Sequence, residues 1–207
     1  MSSEEIDNNR RHFLTVATVV AGAVGAVMVA VPFVSSMEPS ARAKALGGPV
    51  DIDVSKIEPG GRVKVTWRGK PTWVVQRSQT ALNELPKVDP RLRDPDSDEP
   101  QQPAYVKNGW RSIKPELFVV IGICTHLGCS PLYKPQPDDP ELGTDWPGGF
   151  HCPCHGSKYD LAGRVFKNVP APLNLPVPQH FYVSDTVIRI GEDPAGSTSK
   201  WTQPLTW

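Results

Sequence analysis

The chain has 207 residues with 22 basic and 22 acidic side chains, so it has no net charge at neutral pH. A balanced charge creates no global field that would attract nucleic acid, and we expect no nucleic-acid partner. The 23 prolines and 17 glycines favour many short strands joined by turns, which predicts one mainly β domain at this length.

The chain begins with a polar segment, residues 1–12, followed by 22 positions without a charged side chain, residues 13–34. As a helix this run would span roughly 33 Å, enough to cross a hydrocarbon core of about 30 Å. A cleaved signal peptide has a shorter apolar core of roughly 7 to 15 residues, and the end of this run is a poor cleavage site. We therefore predict one uncleaved N-terminal transmembrane helix.

Two adjacent arginines, Arg10 and Arg11, immediately precede the apolar run. They resemble a twin-arginine signal, which exports folded, cofactor-loaded proteins across the bacterial membrane. Alternatively, they only anchor the helix at the cytoplasmic interface. Both interpretations put residues 1–12 in the cytoplasm, so we expect a single-pass protein of the bacterial cell inner membrane with its C-terminal domain in the periplasm.

Small and polar residues fill positions 35–48, which end in two glycines. We predict a flexible tether that could reach about 45 Å if fully extended. A periplasmic domain should then occupy residues 49–207. Its proline-rich and acidic segment, residues 86–103, is predicted to be a solvated loop without chemistry.

Five strands are indicated within this domain. Residues 62–67 and 72–76 flank a turn and predict a hairpin. Residues 117–123 are strongly apolar, which is typical of a buried strand, and they lead directly to Cys124. Residues 180–184 and 187–190 predict a second antiparallel pair around a short turn.

All four cysteines lie in two short motifs, Cys124–Cys129 and Cys152–Ser157, each with two cysteines and one histidine. Thiolates and imidazoles bind zinc, copper and iron–sulphur clusters. A zinc site needs only four of the six groups, two disulfides leave the histidines unexplained, and a catalytic Cys-His pair needs one thiol. A Rieske-type 2Fe-2S centre accounts for all six, because one iron takes two cysteines, the other takes two histidines, and the remaining two cysteines can pair with each other.

In this interpretation each motif contributes one cysteine and one histidine to the cluster, through a C-x-H and a C-x-x-H spacing. The predicted metal ligands are Cys124, His126, Cys152 and His155. The remaining pair, Cys129 and Cys154, can form a disulfide, which would persist in a periplasm.

Both motifs look like the cluster-binding loops of Rieske proteins from cytochrome bc1 complexes, of the proteobacterial type. The similarity continues through residues 158–166 and through residues 169–176, which resemble the family's proline loop. His151 departs from the aromatic or aliphatic residue expected there, and we interpret it as a neighbour of the site. The resemblance implies stacked antiparallel sheets with a small cluster-binding subdomain at about residues 120–175.

The resemblance also implies roles for residues around the cluster. Ser157 and Tyr159 match hydroxyl donors that tune the cluster, with a bridging sulphide and Cys124 as their respective acceptors. His155 matches the catalytic histidine that contacts the quinol. Residues expected to shield the cluster, or simply to pack under a cap, are Leu127, Pro170, Ala171 and Pro172.

The implied function is electron transfer in a quinol:cytochrome c oxidoreductase. The subunit would take one electron and a proton from ubiquinol and pass the electron to cytochrome c1, in a dimeric complex with cytochrome b. One alternative is another exported Rieske carrier, such as the small subunit of an arsenite oxidase, which the anchor and the proline loop argue against. A ring-hydroxylating dioxygenase component should lack Cys129 and Cys154 and hold a separate iron, for which His12 and His180 offer no convincing ligands.

Overall fold

The computed structural model describes residues 7–197, except for the side chains of residues 45 and 46. The first six residues of the predicted cytoplasmic segment and the last ten of the predicted periplasmic domain therefore lie outside the described residues. The chain forms two compact units, residues 1–45 and 46–207.

The first unit is dominated by one helix, α1 (Asn8–Ser35), which confirms the predicted apolar helix over residues 13–34. The Asp7 carboxylate begins it by accepting hydrogen bonds from the backbone N–H groups of Asn9 and Arg10. At 28 residues the helix is long and apolar enough to span a membrane, and it buries no side chain against protein. Exposed apolar side chains on all sides suit a lipid environment.

A short helix, α2 (Ala41–Leu46), lies within the predicted tether. Six helical residues advance about 9 Å, whereas the same residues would cover about 20 Å when extended. The tether is therefore shorter in this conformation than its maximum reach. Its flexibility stays a prediction.

Nine strands in the described part of the second unit form three antiparallel sheets of three strands each. The strands are β1 (Val50–Asp53), β2 (Arg62–Trp67), β3 (Lys70–Gln76), β4 (Leu117–Ile121), β5 (Leu132–Lys134), β6 (Gly149–His151), β7 (Lys158–Tyr159), β8 (His180–Tyr182) and β9 (Val187–Ile190). The sheet orders are β1-β9-β8, β2-β3-β4 and β5-β6-β7. These stacked antiparallel sheets confirm the predicted fold class.

Strand β4 is buried at every position because both faces of its sheet are covered. Leu117, Val119 and Ile121 pack in a core with β1 and β9, whereas Phe118 and Val120 pack in a second core with β6 and β7. This arrangement explains why the strand reads as a continuous apolar run instead of an alternating one. It also fixes the point at which the chain enters the first cysteine motif.

The predicted hairpin is confirmed with a tighter turn than expected. Trp67 and Lys70 pair directly, so Arg68 and Gly69 form the whole loop, both with positive φ (50° and 73°). A two-residue loop of this kind matches the twist of the flanking strands. The final predicted pair is also confirmed, as β8 and β9.

The prediction of a solvated loop over residues 86–103 is wrong for part of this segment. A 3-10 helix (Leu85–Arg91) occupies its start, and Val88 and Leu92 are buried against Trp146 and Phe166. The many prolines and acidic residues suggested solvation, but the apolar residues between them face the core. The segment therefore supports the third sheet, next to the cysteine motifs.

Candidate metal centre

The two cysteine motifs fold into loops with the same hydrogen-bond frame. In the first, the Cys124 N–H donates to the Cys129 carbonyl (2.8 Å) and the Gly128 N–H donates to the Cys124 carbonyl (3.0 Å). In the second, the Cys152 N–H donates to the Ser157 carbonyl (2.8 Å) and the Gly156 N–H donates to the Cys152 carbonyl (2.9 Å). Each frame therefore spans six residues and holds its first cysteine at the base of the loop.

Both frames depend on a glycine at their fifth position. Gly128 and Gly156 have φ values of 82° and 78°, a conformation that L side chains rarely adopt. A third glycine, Gly122, lies just before the first loop, where an added Cβ would overlap the Trp73 ring. Glycine there allows the chain to pass over the indole ring on its way to Cys124.

The predicted ligands separate into buried sulphurs and outward-facing rings. Cys124 and Cys152 are free thiols and only 1% and 2% exposed. His155 is exposed and His126 partly exposed, and their ring centroids lie 4.8 Å apart. The structure thus brings the two thiols to the inner side of the loops and the two imidazoles to the outer side.

The remaining cysteines, Cys129 and Cys154, form a disulfide that joins the two loops. The sulphurs of Cys129, Cys152 and Cys154 lie within 4.8 Å of one another, as the ligands of a metal site would. Because two of these three are oxidised to a disulfide, they cannot bind as thiolates. Among these three, the available sulphur is that of Cys152.

Burial raises the pKa of the Cys152 thiol, and the neighbouring Cys124 thiol raises it further. Two adjacent buried thiols are poor sites for negative charge unless a cation is bound between them. Iron supplies that charge, so the buried pair suits a metal better than it suits free thiolates. The donor set of two sulphurs and two nitrogens on facing loops fits a 2Fe-2S cluster with unequal irons.

Tyr159 connects the base of the first loop to strand β7. Its hydroxyl lies 3.2 Å from Cys124 Sγ and accepts a hydrogen bond from the Thr125 N–H (3.1 Å). The Thr125 hydroxyl donates to the Leu173 carbonyl (2.7 Å), and its oxygen lies 3.2 Å from the Tyr159 hydroxyl, so Thr125 Oγ1 and Cys124 Sγ are both within reach of the phenol proton. Burial raises the pKa of the Tyr159 hydroxyl, which keeps its proton for donation towards Cys124.

Ser157 is fully buried beside the second loop, where its Oγ accepts a hydrogen bond from the Ala171 N–H (3.1 Å). A hydroxyl that accepts this bond keeps its own proton for another acceptor. Ser157 therefore links the second loop to the proline loop, residues 169–176, and its hydroxyl can still donate one hydrogen bond.

The predicted shielding residues lie in two different environments. Leu127 is 68% exposed at the tip of the first loop, and Pro170 and Pro172 are exposed, whereas Ala171 is fully buried. Their shielding role stays a prediction. His151 lies on β6 opposite Leu132 and Lys158, outside both loops.

Two supporting interactions were missed by sequence reasoning. Thr125 ties the first loop to the proline loop, as described above. Arg164, which is buried, forms ion pairs with Asp160 and Asp89 at 2.8 Å, which fixes the turn after Tyr159 against the 3-10 helix. Thr125 and Leu173 are 48 residues apart and Arg164 and Asp89 are 75 apart, so local spacing carried no signal for these two contacts, although Asp160 lies only four residues from Arg164.

The chain is similar to known proteins along most of its length. A model of the "Rieske [2Fe-2S] domain" matches residues 100–179, and a model of the "Ubiquitinol-cytochrome C reductase Fe-S subunit TAT signal" matches residues 1–40. The chain is 61% identical over 193 residues to the ubiquinol-cytochrome c reductase iron-sulfur subunit of Allochromatium vinosum, covering 93% of each chain.

The corresponding subunit of Bradyrhizobium diazoefficiens is 46% identical, over 88% of this chain and 94% of its own length. Among solved structures, a chain titled "Hyperthermophilic respiratory Complex III" matches 84% of this chain and 98% of its own length at 28% identity, with a TM-score of 0.48.

The fold and the donor set define a membrane-anchored protein with a Rieske-type 2Fe-2S cluster. More narrowly, the chain belongs to the family of iron-sulphur subunits of ubiquinol-cytochrome c reductase. This family is the one implied by the cysteine motifs, rather than that of an arsenite oxidase or a dioxygenase component.

Proposed function

We propose that this subunit takes one electron and a proton from ubiquinol and passes the electron to cytochrome c1, thereby contributing to the proton-motive force. The observation that carries the proposal is the separation of two buried thiols from two outward-facing imidazoles. A ring that reaches solvent can exchange a proton with a substrate, whereas a buried sulphur cannot. Relatives at 61% and 46% identity named for this oxidoreductase support the assignment.

Cys124 and Cys152 would bind one iron, and His126 and His155 the other. When bound, the cluster accepts and returns one electron at a potential that imidazole ligands raise to roughly −150 to +300 mV. Tyr159 would donate a hydrogen bond to the Cys124 sulphur, and Ser157 would donate to a bridging sulphide. Donors of this kind favour the more negative, reduced state.

His155 is the proposed catalytic residue because its ring is exposed on the second loop. Its outer nitrogen would accept a hydrogen bond from the quinol hydroxyl and then the proton. Leu127 and residues 170–172 would keep water away from the loops once a partner covers them. The exposed apolar side chain of Leu127 at the tip of the first loop is consistent with this role.

The expected location is the bacterial inner membrane, with residues 1–12 in the cytoplasm, residues 13–34 as the anchor and residues 35–48 as the tether. Residues 49–207 would form the periplasmic domain, with the cluster-binding subdomain at about residues 120–175. The disulfide and the match to a twin-arginine signal model support export. Cytochrome b and cytochrome c1 are the expected partners in a dimeric complex.

The ligand assignment is tested by replacing each ligand with alanine and measuring iron, acid-labile sulphide and the EPR spectrum of the reduced membrane protein. Each of Cys124→Ala, His126→Ala, Cys152→Ala and His155→Ala should abolish the signal. His151→Ala is the matched control, because it removes a neighbouring imidazole that we do not assign to iron, and it should retain the cluster. Iron-free wild-type protein, or loss of the cluster with His151→Ala, would contradict the assignment.

The orientation can be tested separately. Replacing Arg10 and Arg11 by lysine should leave the protein in the cytoplasm, protected from protease added to spheroplasts. The same change at Arg42, beyond the helix, should leave export unaffected. Protease protection of the wild-type domain in intact spheroplasts would contradict the periplasmic location.

A further inference from the structure

A groove lined by positive charge lies beside the second cysteine loop. It encloses about 480 Å³, and Arg91, Lys158 and Lys167 line it together with Gly156 and Phe166. We call it the basic groove. No aspartate or glutamate is among its lining residues in the described part of the chain. Gly156 follows His155 directly, so the groove and the exposed imidazole belong to one continuous surface.

The three cations are hydrogen-bonded or stacked without being neutralised. The Lys167 Nζ donates to the Pro90 carbonyl and the Arg91 Nη1 to the Asp145 carbonyl, both at 2.9 Å. The Lys158 Nζ lies 5.9 Å from the centre of the Trp146 ring. Carbonyls and aromatic faces hold these groups in place, but they leave three full positive charges at the surface of the groove.

The backbone forces two of these charges together. The Lys167 N–H donates to the Arg91 carbonyl (2.8 Å), and Leu92 pairs with Phe166 in an antiparallel bridge. Like charges on neighbouring paired segments destabilise a fold when nothing neutralises them. An anionic group from outside the chain would relieve this repulsion.

A fourth cation extends the same surface towards the proline loop. The Arg93 N–H donates to the Val165 carbonyl (2.9 Å), and its guanidinium donates to the Pro172 carbonyl (3.4 Å). The exposed positive charge therefore runs from the proline loop to the second cysteine loop. A surface of this length suits several carboxylates of a protein better than it suits one small anion.

We propose that the basic groove binds an acidic patch on the protein that accepts the electron from this subunit. This inference rests on the proposed function, because it takes the exposed His155 as the point where partners approach. A cleft lined by one sign of charge speeds association with an oppositely charged surface and makes the rate depend on salt. The groove would thereby orient the domain on its acceptor.

The test uses the double variant Lys158→Gln/Lys167→Gln in the purified, cluster-loaded complex. Lys56→Gln/Lys64→Gln is the matched control, because both of these lysines are exposed and outside the groove. After rapid mixing with ubiquinol, cluster reduction is followed by freeze-quench EPR and haem reduction in the acceptor by absorbance. Both are measured from about 20 to about 300 mM ionic strength, where screening of charges changes strongly.

In Lys158→Gln/Lys167→Gln, the groove variant, the rate of haem reduction should be lower by about threefold or more at low ionic strength. This rate should also depend less on salt concentration than in the wild type. The rate of cluster reduction, the cluster potential and the control variant should match the wild type. Equal haem reduction in both variants would overturn the proposal. So would slower cluster reduction with normal haem reduction, since the groove would then serve the quinol side.

A lipid source of the anionic group is tested with vesicles of phosphatidylglycerol and the full-length subunit. If the groove variant loses vesicle binding and keeps normal haem reduction, the acidic-protein proposal is wrong. Failure of the proposed function itself would be visible in the wild type, as a missing cluster signal or as no haem reduction at all.

Discussion

The hydroxyl of Tyr159 lies 3.2 Å from the sulphur of Cys124, across 35 residues of sequence. The phenol also accepts the Thr125 N–H, and both Cys124 Sγ and Thr125 Oγ1 lie 3.2 Å from its oxygen. A cysteine sulphur that binds iron carries negative charge, so it is the stronger acceptor for the phenol proton. This contact couples strand β7 to the first cysteine loop. It also makes the electronic environment of the sulphur sensitive to a single oxygen atom.

Tyr159→Phe should therefore lower the reduction potential of the cluster without removing it. A hydrogen bond to a charged acceptor contributes about 1.5 kcal/mol or more, which corresponds to about 60 mV for a one-electron couple. The measurement is a redox titration followed by EPR. Tyr133→Phe is the matched control, because its hydroxyl donates to the Gly60 carbonyl and not to a cysteine. Equal potentials in the two variants would refute the donor role of Tyr159.

Ser157→Ala should lower both the reduction potential of the cluster and the stability of the folded domain. The potential falls because a hydroxyl donor is lost, and the stability falls because the buried Ala171 N–H loses its acceptor, at about 1 to 3 kcal/mol. Redox titration and thermal loss of the cluster's visible circular dichroism measure the two effects. An unchanged titration would show that Ser157 is structural only.

The double variant Cys129→Ser/Cys154→Ser should keep the ligands but hold the cluster less firmly. The disulfide closes a loop with a sequence separation of 25, which is worth roughly 3 kcal/mol in the chain-entropy model. We expect a shorter half-life of the EPR signal on warming under non-reducing conditions. Wild-type protein treated with a thiol reductant should behave like the variant, and full stability of either would contradict this role.

His180 should make the domain lose stability in acid. It is fully buried, with Nδ1 2.8 Å from the Pro178 carbonyl, and burial lowers its pKa to about 4. Between about pH 6.5 and pH 4 this histidine is protonated in the unfolded chain but neutral in the folded chain. The free energy of unfolding therefore falls as the pH falls through this window. Urea unfolding of the purified subunit measures this effect. Between pH 7 and pH 4.5 the free energy of unfolding of the wild type should fall by roughly 2 to 3 kcal/mol more than that of His180→Gln.

The matched control for this prediction is His12→Gln, which removes an exposed histidine on helix α1. It should keep the full acid sensitivity of the wild type. If His180→Gln and His12→Gln lose stability equally in acid, another group is responsible.

Stiffening the tether should slow turnover without changing the cluster. Proline at Ser36, Ser40 and Gly48 restricts the backbone on both sides of α2, whereas alanine at the same three positions does not. If the domain must move between partners, the turnover rate of the proline variant should be about one third of that of the alanine variant or lower, with the same EPR spectrum. Equal turnover of the proline and alanine variants would contradict the moving tether.

The apolar helix, the antiparallel hairpins and the cluster-binding character of the two cysteine motifs are all predictable from the amino-acid sequence alone. Each of these signals is local: charge is absent over residues 13–34, turn residues separate the strands, and each motif spans six positions. Local spacing is sufficient where neighbouring residues act together. The prediction of a solvated loop over residues 86–103 was wrong in part, because the few apolar residues between the prolines form no periodic pattern that would indicate burial.

The contacts that support the site depend instead on how distant segments pack together. The contact of Tyr159 with Cys124, the bond of Thr125 to Leu173 and the alignment of Arg91 with Lys167 each join segments that are distant in sequence. Such contacts depend on how sheets stack and in which register, and no short pattern encodes that. The chemistry of the cluster is therefore readable from the sequence, whereas the hydrogen bonds and charges around it are set by packing.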